Sequence, residues 1–186
     1  MDPSREQWPA WATAAVEVVA YDPAWEQTGA TLVAELGAIL APWLLDGVHH
    51  VGSTAVVGLA AKPIIDVMAG VHDLAAIEAI ATALGPASWN YVSPELDQRT
   101  WRRFFVLADG ARRISHLHVM CADNPRWQAQ LLFRDRLRES GSLRLEYARL
   151  KERLARRHTG DREAYTNGKS AFVTRVLRAS KQPSST

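Results

Sequence analysis

Three groups of residues in this chain have types and spacings that suit chemistry. The first is the run His49-His50-Val51-Gly52-Ser53-Thr54-Ala55-Val56-Val57-Gly58-Leu59-Ala60-Ala61-Lys62-Pro63-Ile64-Ile65-Asp66. It reads as a strand, a Gly-Ser turn rich in small residues, and a second strand with a carboxylate among apolar neighbours. Glycine lets backbone approach a ligand closely, and Ser53 sets a hydroxyl beside exposed N–H groups, which suits a phosphate. The plainer reading is an ordinary hairpin turn. A Walker loop is excluded, because the Gly-Lys-Ser/Thr ending is absent. On a strand, Asp66 shares a face with Ile64 and Met68, so its charge needs a partner, a metal or a wet strand end. An arginine would serve as that partner as well as a metal would.

The second group is His116-Leu117-His118. Period-two alternation puts both imidazoles on one face with Ile114 and Met120, and Leu117 and Val119 on the other. Such a pair can share a metal, grip one phosphate, or simply hydrogen-bond at a sheet face. If the Asp66 strand lies beside this one, Asp66, His116 and His118 form a His-His-carboxylate set for a divalent ion. The third group is cationic. With Tyr165 at zero and about 100° per residue, Lys169 falls at about 40°, between Val176 at about 20° and Val173 at about 80°. A lysine there either snorkels or aims its ammonium into a phosphate pocket. Arg134 and Arg138 stand at i and i+4 on a helix side that also carries Trp127 and Leu131. Their mutual repulsion is relieved by solvent exposure or by a bound anion.

These groups need elements to hold them. Asp22-Pro23 predicts a helix over residues 23–41, with Asp22 as its cap. Residues 48–52 and 63–71 read as strands, 73–84 as a helix stopped by Gly85-Pro86, and 89–92, 101–108 and 112–120 as three more strands. Asp109-Gly110 marks a tight hairpin between the last two. Helices follow over 124–139, 142–158 and 161–179, and in the middle one Leu143, Tyr147, Leu150 and Leu154 share a stripe. Residues 1–15 read as a loosely held arm whose Trp8 and Trp11 can dock on the domain, and 181–186 as a frayed tail. The order specifies an α+β domain: a small mixed β-sheet (residues 20–123) with helices packed on it, then a C-terminal helical extension (residues 124–179), all within one domain over 1–186.

Composition agrees with one globular domain. The 186 residues are 47% hydrophobic and 23% charged, which excludes wholesale disorder. The single Cys121 excludes an intrachain disulfide and fits a reducing cytoplasm. No signal peptide is read at the N-terminus, and Lys62, Pro63 and Asp66 argue against a membrane span in the apolar stretch over 55–71. The overall charge of +2 hides an asymmetry: residues 1–125 carry 7 basic and 14 acidic side chains, net −7, whereas residues 126–186 carry 15 and 6, net +9. That basic half points to an anionic partner. Nucleic acid ranks last among such partners, because acids interrupt the basic residues and no nucleic-acid motif is present.

Beyond these local patterns, the sequence resembles the GrpB-like family of predicted nucleotidyltransferases. The matching stretches are His50 to Val56 running into Gly58 to Asp66, His116-Leu117-His118-Val119, Phe133-Arg134-Asp135 with Leu137-Arg138, Tyr147-Ala148, Leu150-Lys151, Ala164-Tyr165 and Gly168-Lys169. The resemblance implies a nucleotidyltransferase fold of the DNA polymerase beta type, in which a Gly-Ser turn holds nucleotide phosphates and strand carboxylates bind divalent metals. It implies Gly52 and Ser53 at the turn and Asp66 as first catalytic carboxylate; from the residues themselves, Asp66, His116 and His118 make up the set for one metal, Mg²⁺ or Mn²⁺. Lys62, Arg134, Arg138 and Lys169 then supply positive charge for the phosphates of a nucleotide or other phosphate-bearing small molecule. The chain departs from the active pattern in three places: Met68 replaces a second carboxylate, the His116 to His118 strand has none, and Val57 stands where the family usually has proline. Two functions follow: transfer of a nucleoside monophosphate from a triphosphate, or a non-catalytic nucleotide-binding or chaperone-like module, as suggested by relatives fused behind dephospho-coenzyme A kinase.

Overall fold

The structure is a computed structural model that describes residues 9–13, 17–158 and 162–179. The elements run α1 (Ala24–Leu40), β1 (Leu44–Val51), β2 (Ile65–Val71), α2 (Ile77–Leu84), β3 (Trp89–Val92), α3 (Pro94–Asp97), β4 (Arg103–Asp109), β5 (Arg112–Cys121), α4 (Pro125–Glu139), α5 (Gly141–Arg157), α6 (Arg162–Asn167) and α7 (Ser170–Ala179). The five strands form one mixed sheet in the order β1-β2-β5-β4-β3, parallel only between β2 and β5.

Each face of the sheet is covered by what its alternation dictates. Ile65, Val67, Ala69, Leu117, Val119 and Phe105 point to one side, where they bury the apolar stripe of α1 (Trp25, Leu32, Leu36, Leu40) and that of α2 (Ile77, Ile80, Leu84). Val51, Met68 and Met120 point to the other side and meet Trp127 of α4, which is fully buried. The Trp127 indole N–H donates to Asp46 Oδ2 at 2.5 Å, so its polar edge is satisfied as well. A third cluster joins the helices to the sheet portion. Val56 and Leu59, from the link between β1 and β2, are buried against Leu137, Tyr147, Phe172 and Val176. The helical extension is therefore built onto the Gly-Ser link itself.

Most boundaries follow their local chemistry. Asp22 Oδ1 accepts the Ala24 N–H at the start of α1, and Asn124 Oδ1 accepts that of Arg126 at the start of α4. Strand β1 begins four residues earlier than its alternation suggests, because its register shifts between Leu44 and Val48. Helix α2 starts only at Ile77, after Asp73 has capped a turn through the Ala75 N–H. The helix expected over 161–179 is two helices, α6 and α7, broken where Gly168 weakens helix formation and Leu154 packs against it. Trp11 does dock, its carbonyl accepting from Arg113 Nε at 2.8 Å; Trp8 and the 181–186 tail lie outside the described residues.

Gly29, midway along α1, is where the helix touches the site-bearing strand. A Cβ there would lie 2.2 Å from His50 Nδ1, so the imidazole lies directly against helix backbone. In a helix interior glycine to alanine normally stabilises by roughly 0.5–1 kcal/mol. Here Gly29→Ala should destabilise by about 1–3 kcal/mol through overpacking. Urea denaturation of the two proteins checks the sign, and stabilisation would contradict the His50 contact.

Candidate functional site

Parallel pairing of β2 with β5 sets Asp66 level with His116 and Met68 level with His118. Two segments fifty residues apart thus converge on one carboxylate. His116 Nδ1 lies 2.9 Å and His118 Nε2 3.6 Å from Asp66 Oδ1. Burial alone would raise the Asp66 carboxyl, but hydrogen bonds and attraction from the two imidazoles outweigh it and hold the group below the usual carboxylate range. The Gly-Ser turn closes over the same carboxylate. Gly52 has φ +71°, and a Cβ on it would lie 2.7 Å from Asp66 Oδ2. Glycine is required there on both counts, to reach that dihedral and to let backbone approach the acid.

The turn is braced from two sides. Thr54, fully buried, links His50 Nε2 at 3.0 Å to the Ile64 carbonyl at 3.4 Å, which ties β1 to the residue before β2. Burial lowers the His50 imidazole to about 4, opposed by Asp66 and assisted by Arg138 and Arg134. Helix α4 supplies the second brace. Arg134 Nη1 donates to the His50 carbonyl at 3.0 Å and Arg138 Nε to the Ala55 carbonyl at 2.8 Å. The i, i+4 arginines thus clamp both ends of the turn. Asp135 relieves their repulsion, lying 2.8 Å from Arg134 Nε and 3.6 Å from Arg138 Nη1. The Arg134 side chain is 13% exposed and that of Arg138 44%, so Arg138 keeps donors open to solvent.

The helical extension brings lysines to this turn. Lys169 lies at the break between α6 and α7 with its Nζ 4.6 Å from the Tyr165 ring, and Lys62 Nζ lies 4.4 Å from the same ring. Burial lowers the Lys169 ammonium, and attraction to Asp66 opposes that shift. Lys151, only 2% exposed, donates to the Ala60 carbonyl and stands 4.9 Å from the Tyr147 ring. Burial, then repulsion by Lys169, brings it down to about 7. Tyr147 is hydrogen-bonded to Ser53, and burial raises its hydroxyl. Neither Lys151 nor Lys169 has an ion-pair partner among the described residues.

Three further residues contribute, one of them with a signal in the sequence. Lys151 stands four residues after Tyr147 in the α5 stripe, so, like Lys169, it is a cation in an apolar arc. Asp97 and Arg102 had no such signal. The Arg102 side chain is 10% exposed, pairs with Asp97 through Nε at 2.9 Å and Nη2 at 2.6 Å, and turns Nη1 toward His118 Nδ1. Phe104 lies beneath both groups, 4.3 Å from the guanidinium and 5.2 Å from the His118 ring. Burial lowers His118 to about 4, the Asp66 hydrogen bond opposing and Arg102 assisting.

Asp66, His116 and His118 each offer a ligand atom, and these lie within 4.8 Å of one another, a spacing that admits one divalent ion. The atoms behind them do not suit three-residue ligation. His116 Nε2 is buried without a hydrogen-bond partner among the described residues, and His118 Nδ1 faces a guanidinium. Ligating histidines instead donate that second nitrogen to an acceptor.

Residues 15–179 match the sequence model of the family described as GrpB protein. The chain belongs to the GrpB family. It is 43% identical over 171 residues to a UPF0157 protein of Pseudomonas aeruginosa, covering 87% of this chain and 66% of that one. A UPF0157 protein of Bacillus subtilis is 31% identical over 158 residues, and the chain spans 45% of its length. Among solved structures, the conserved protein GrpB from Enterococcus faecalis superposes with a TM-score of 0.76 at 29% identity, over 88% of this chain and 96% of that one. The Cid1 poly(U) polymerase, at 12% identity and a TM-score of 0.54 over 81% of this chain and 49% of that one, shares the fold. The expected α+β, nucleotidyltransferase-like architecture is thus met. No described helix is long and apolar enough to cross a membrane.

The buried imidazoles make stability depend on pH. His50 and His118 titrate near 6.5 when unfolded and about 4 when folded, so between these values the unfolded chain binds more protons. Stability should therefore fall as pH drops from 6.5 toward 4, and Asp66, held low, prolongs the loss below the ordinary carboxylate range. Urea titrations across this interval check the slope; a flat profile would contradict neutral buried histidines.

Proposed function

We propose that this GrpB-family chain binds a nucleotide, seating its phosphates between the Gly52-Ser53 turn and the lysines of the helical extension. The observation that carries the reading is a buried ammonium, Lys151, with the half-buried Lys169 repelling it; neither has an ion-pair partner among the described residues, and Lys151 stands over Tyr147, which is hydrogen-bonded to Ser53. Uncompensated buried charge is costly. A polyphosphate would supply the missing counter-charge through charge-assisted hydrogen bonds. Ser53 would add its hydroxyl and the turn its N–H groups, with Lys62 and the exposed edge of Arg138 at the rim. Arg134 contributes by holding the turn. A divalent ion, Mg²⁺ or Mn²⁺, would accompany the triphosphate as its complex. The fold relative Cid1 is described with Mg and 3′-dATP bound, which supports the choice of a nucleotide.

Transfer of a nucleoside monophosphate is the more specific form of this reading, with Asp66 in the role of first carboxylate that the family resemblance implies. Met68, fully buried where a second carboxylate would stand, favours binding without transfer. Incubation with each labelled triphosphate and Mg²⁺ or Mn²⁺ separates the two. Binding without labelled product selects the non-catalytic module, and absence of binding to any triphosphate overturns the proposal.

Lys151 yields a sharper test. Its free-state value of about 7 must rise when phosphate binds, so triphosphate affinity should fall as pH climbs above about 7, with proton uptake on binding. Calorimetry in two buffers of different ionisation enthalpy measures that uptake. Lys151→Met should lower affinity at least 10-fold and abolish the proton uptake while stabilising the ligand-free protein, since it removes a buried charge. Unchanged affinity would remove Lys151 from the site.

A further inference from the structure

Arg102 carries hydrogen-bond donors only and remains charged at every accessible pH. Its Nε and Nη2 are committed to the Asp97 carboxylate, at 2.9 and 2.6 Å, which aims Nη1 at His118 Nδ1. Phe104 stacks against the imidazole and underlies the guanidinium, so the two groups share one platform. With a donor at Nδ1, that nitrogen must be the acceptor. The single proton of the neutral ring is then on Nε2, 3.6 Å from Asp66 Oδ1.

A protonated nitrogen has no lone pair for a metal. Ligation through His118 Nε2 would push the proton to Nδ1, against the Arg102 N–H, or would break that contact and leave a buried donor unpaired. His116 meets no opposing N–H: its Nδ1 donates to Asp66 Oδ1 at 2.9 Å, and its proton can move to Nε2, which faces no donor among the described residues, at the cost of leaving that buried N–H unpaired. We infer that Arg102 is a positioning residue that fixes His118 as an Nε2–H donor toward Asp66, and so keeps His118 out of the coordination sphere of any divalent ion. Within the cluster, Asp66 and His116 alone remain open to an ion.

Two measurements on the full chain test this, and neither involves a nucleotide, so their failure is distinct from failure of the phosphate site. Long-range ¹H–¹⁵N correlation, with the His118 signals assigned by their loss in His118→Gln, reads the tautomer directly. The Nε2–H form is expected, and the Nδ1–H form overturns the inference. Calorimetric Zn²⁺ titration gives the second readout. Wild type and His118→Gln should bind Zn²⁺ alike. The variant Asp97→Asn/Arg102→Met, which removes both charges of the buried pair together, should bind roughly 10- to 100-fold more tightly, the range typical of outer-shell changes. A loss of Zn²⁺ affinity in His118→Gln, or no gain in the double variant with native circular dichroism, overturns the inference. The tautomer readout on wild type stands whether or not that variant folds.

Discussion

Asp66 is a half-buried carboxylate, its side chain 32% exposed, whose charge without partners would carry a cost of partial desolvation. Much of the surrounding architecture answers that cost. His116 and His118 come alongside because β2 and β5 run parallel and in register. Gly52 lets the turn close over the acid, and Lys169 of the helical extension is attracted to it. Arg102, itself balanced by Asp97, orders the outer imidazole. The two imidazoles and the charged acid form one interacting unit.

The charge asymmetry of the chain has a structural meaning in this light. Part of the basic half is turned inward rather than to solvent. Two of its arginines are spent on backbone carbonyls at the ends of the Gly-Ser turn, and one of its lysines is almost wholly buried. Such placement fits a small pocket better than a polymer track, which would need cations along an exposed groove. The apolar contacts of Val56 and Leu59 with α4, α5 and α7 hold the turn against the helical extension. Burying a Leu or Val side chain contributes about 1.5–3 kcal/mol, comparable with each charged hydrogen bond of the arginine clamp at about 1.5–3 kcal/mol. Packing and clamp therefore hold the turn together in similar measure.

Much of this fold was legible in the sequence because its signals are local. Alternating residues specify β2 and β5, Asp109-Gly110 the hairpin, and Asp22 and Asn124 helix starts, each within a few residues of chain. The family resemblance added the nucleotidyltransferase-like topology, which no local period encodes. Lys169 betrayed itself by standing in an apolar arc, even though the helix assumed for that argument breaks beside it. Lys151 held the same kind of signal on α5.

By itself, then, the sequence determined which residues face one another's side of a strand or helix, and hence that Asp66, His116 and His118 were candidates for a shared site. Tertiary structure decided what they do there. Whether the two imidazoles meet the acid depends on parallel pairing across fifty residues, a long-range register that periodicity within a strand does not contain. Whether Arg134 and Arg138 meet a ligand or a carbonyl depends on where α4 docks. Which nitrogen of His118 bears the proton depends on Arg102, delivered from the loop before β4 by its pairing with Asp97. Hydrogen-bond direction is set by atoms that meet only in the folded chain, and that is why the chemistry of the site could not be read from spacing alone.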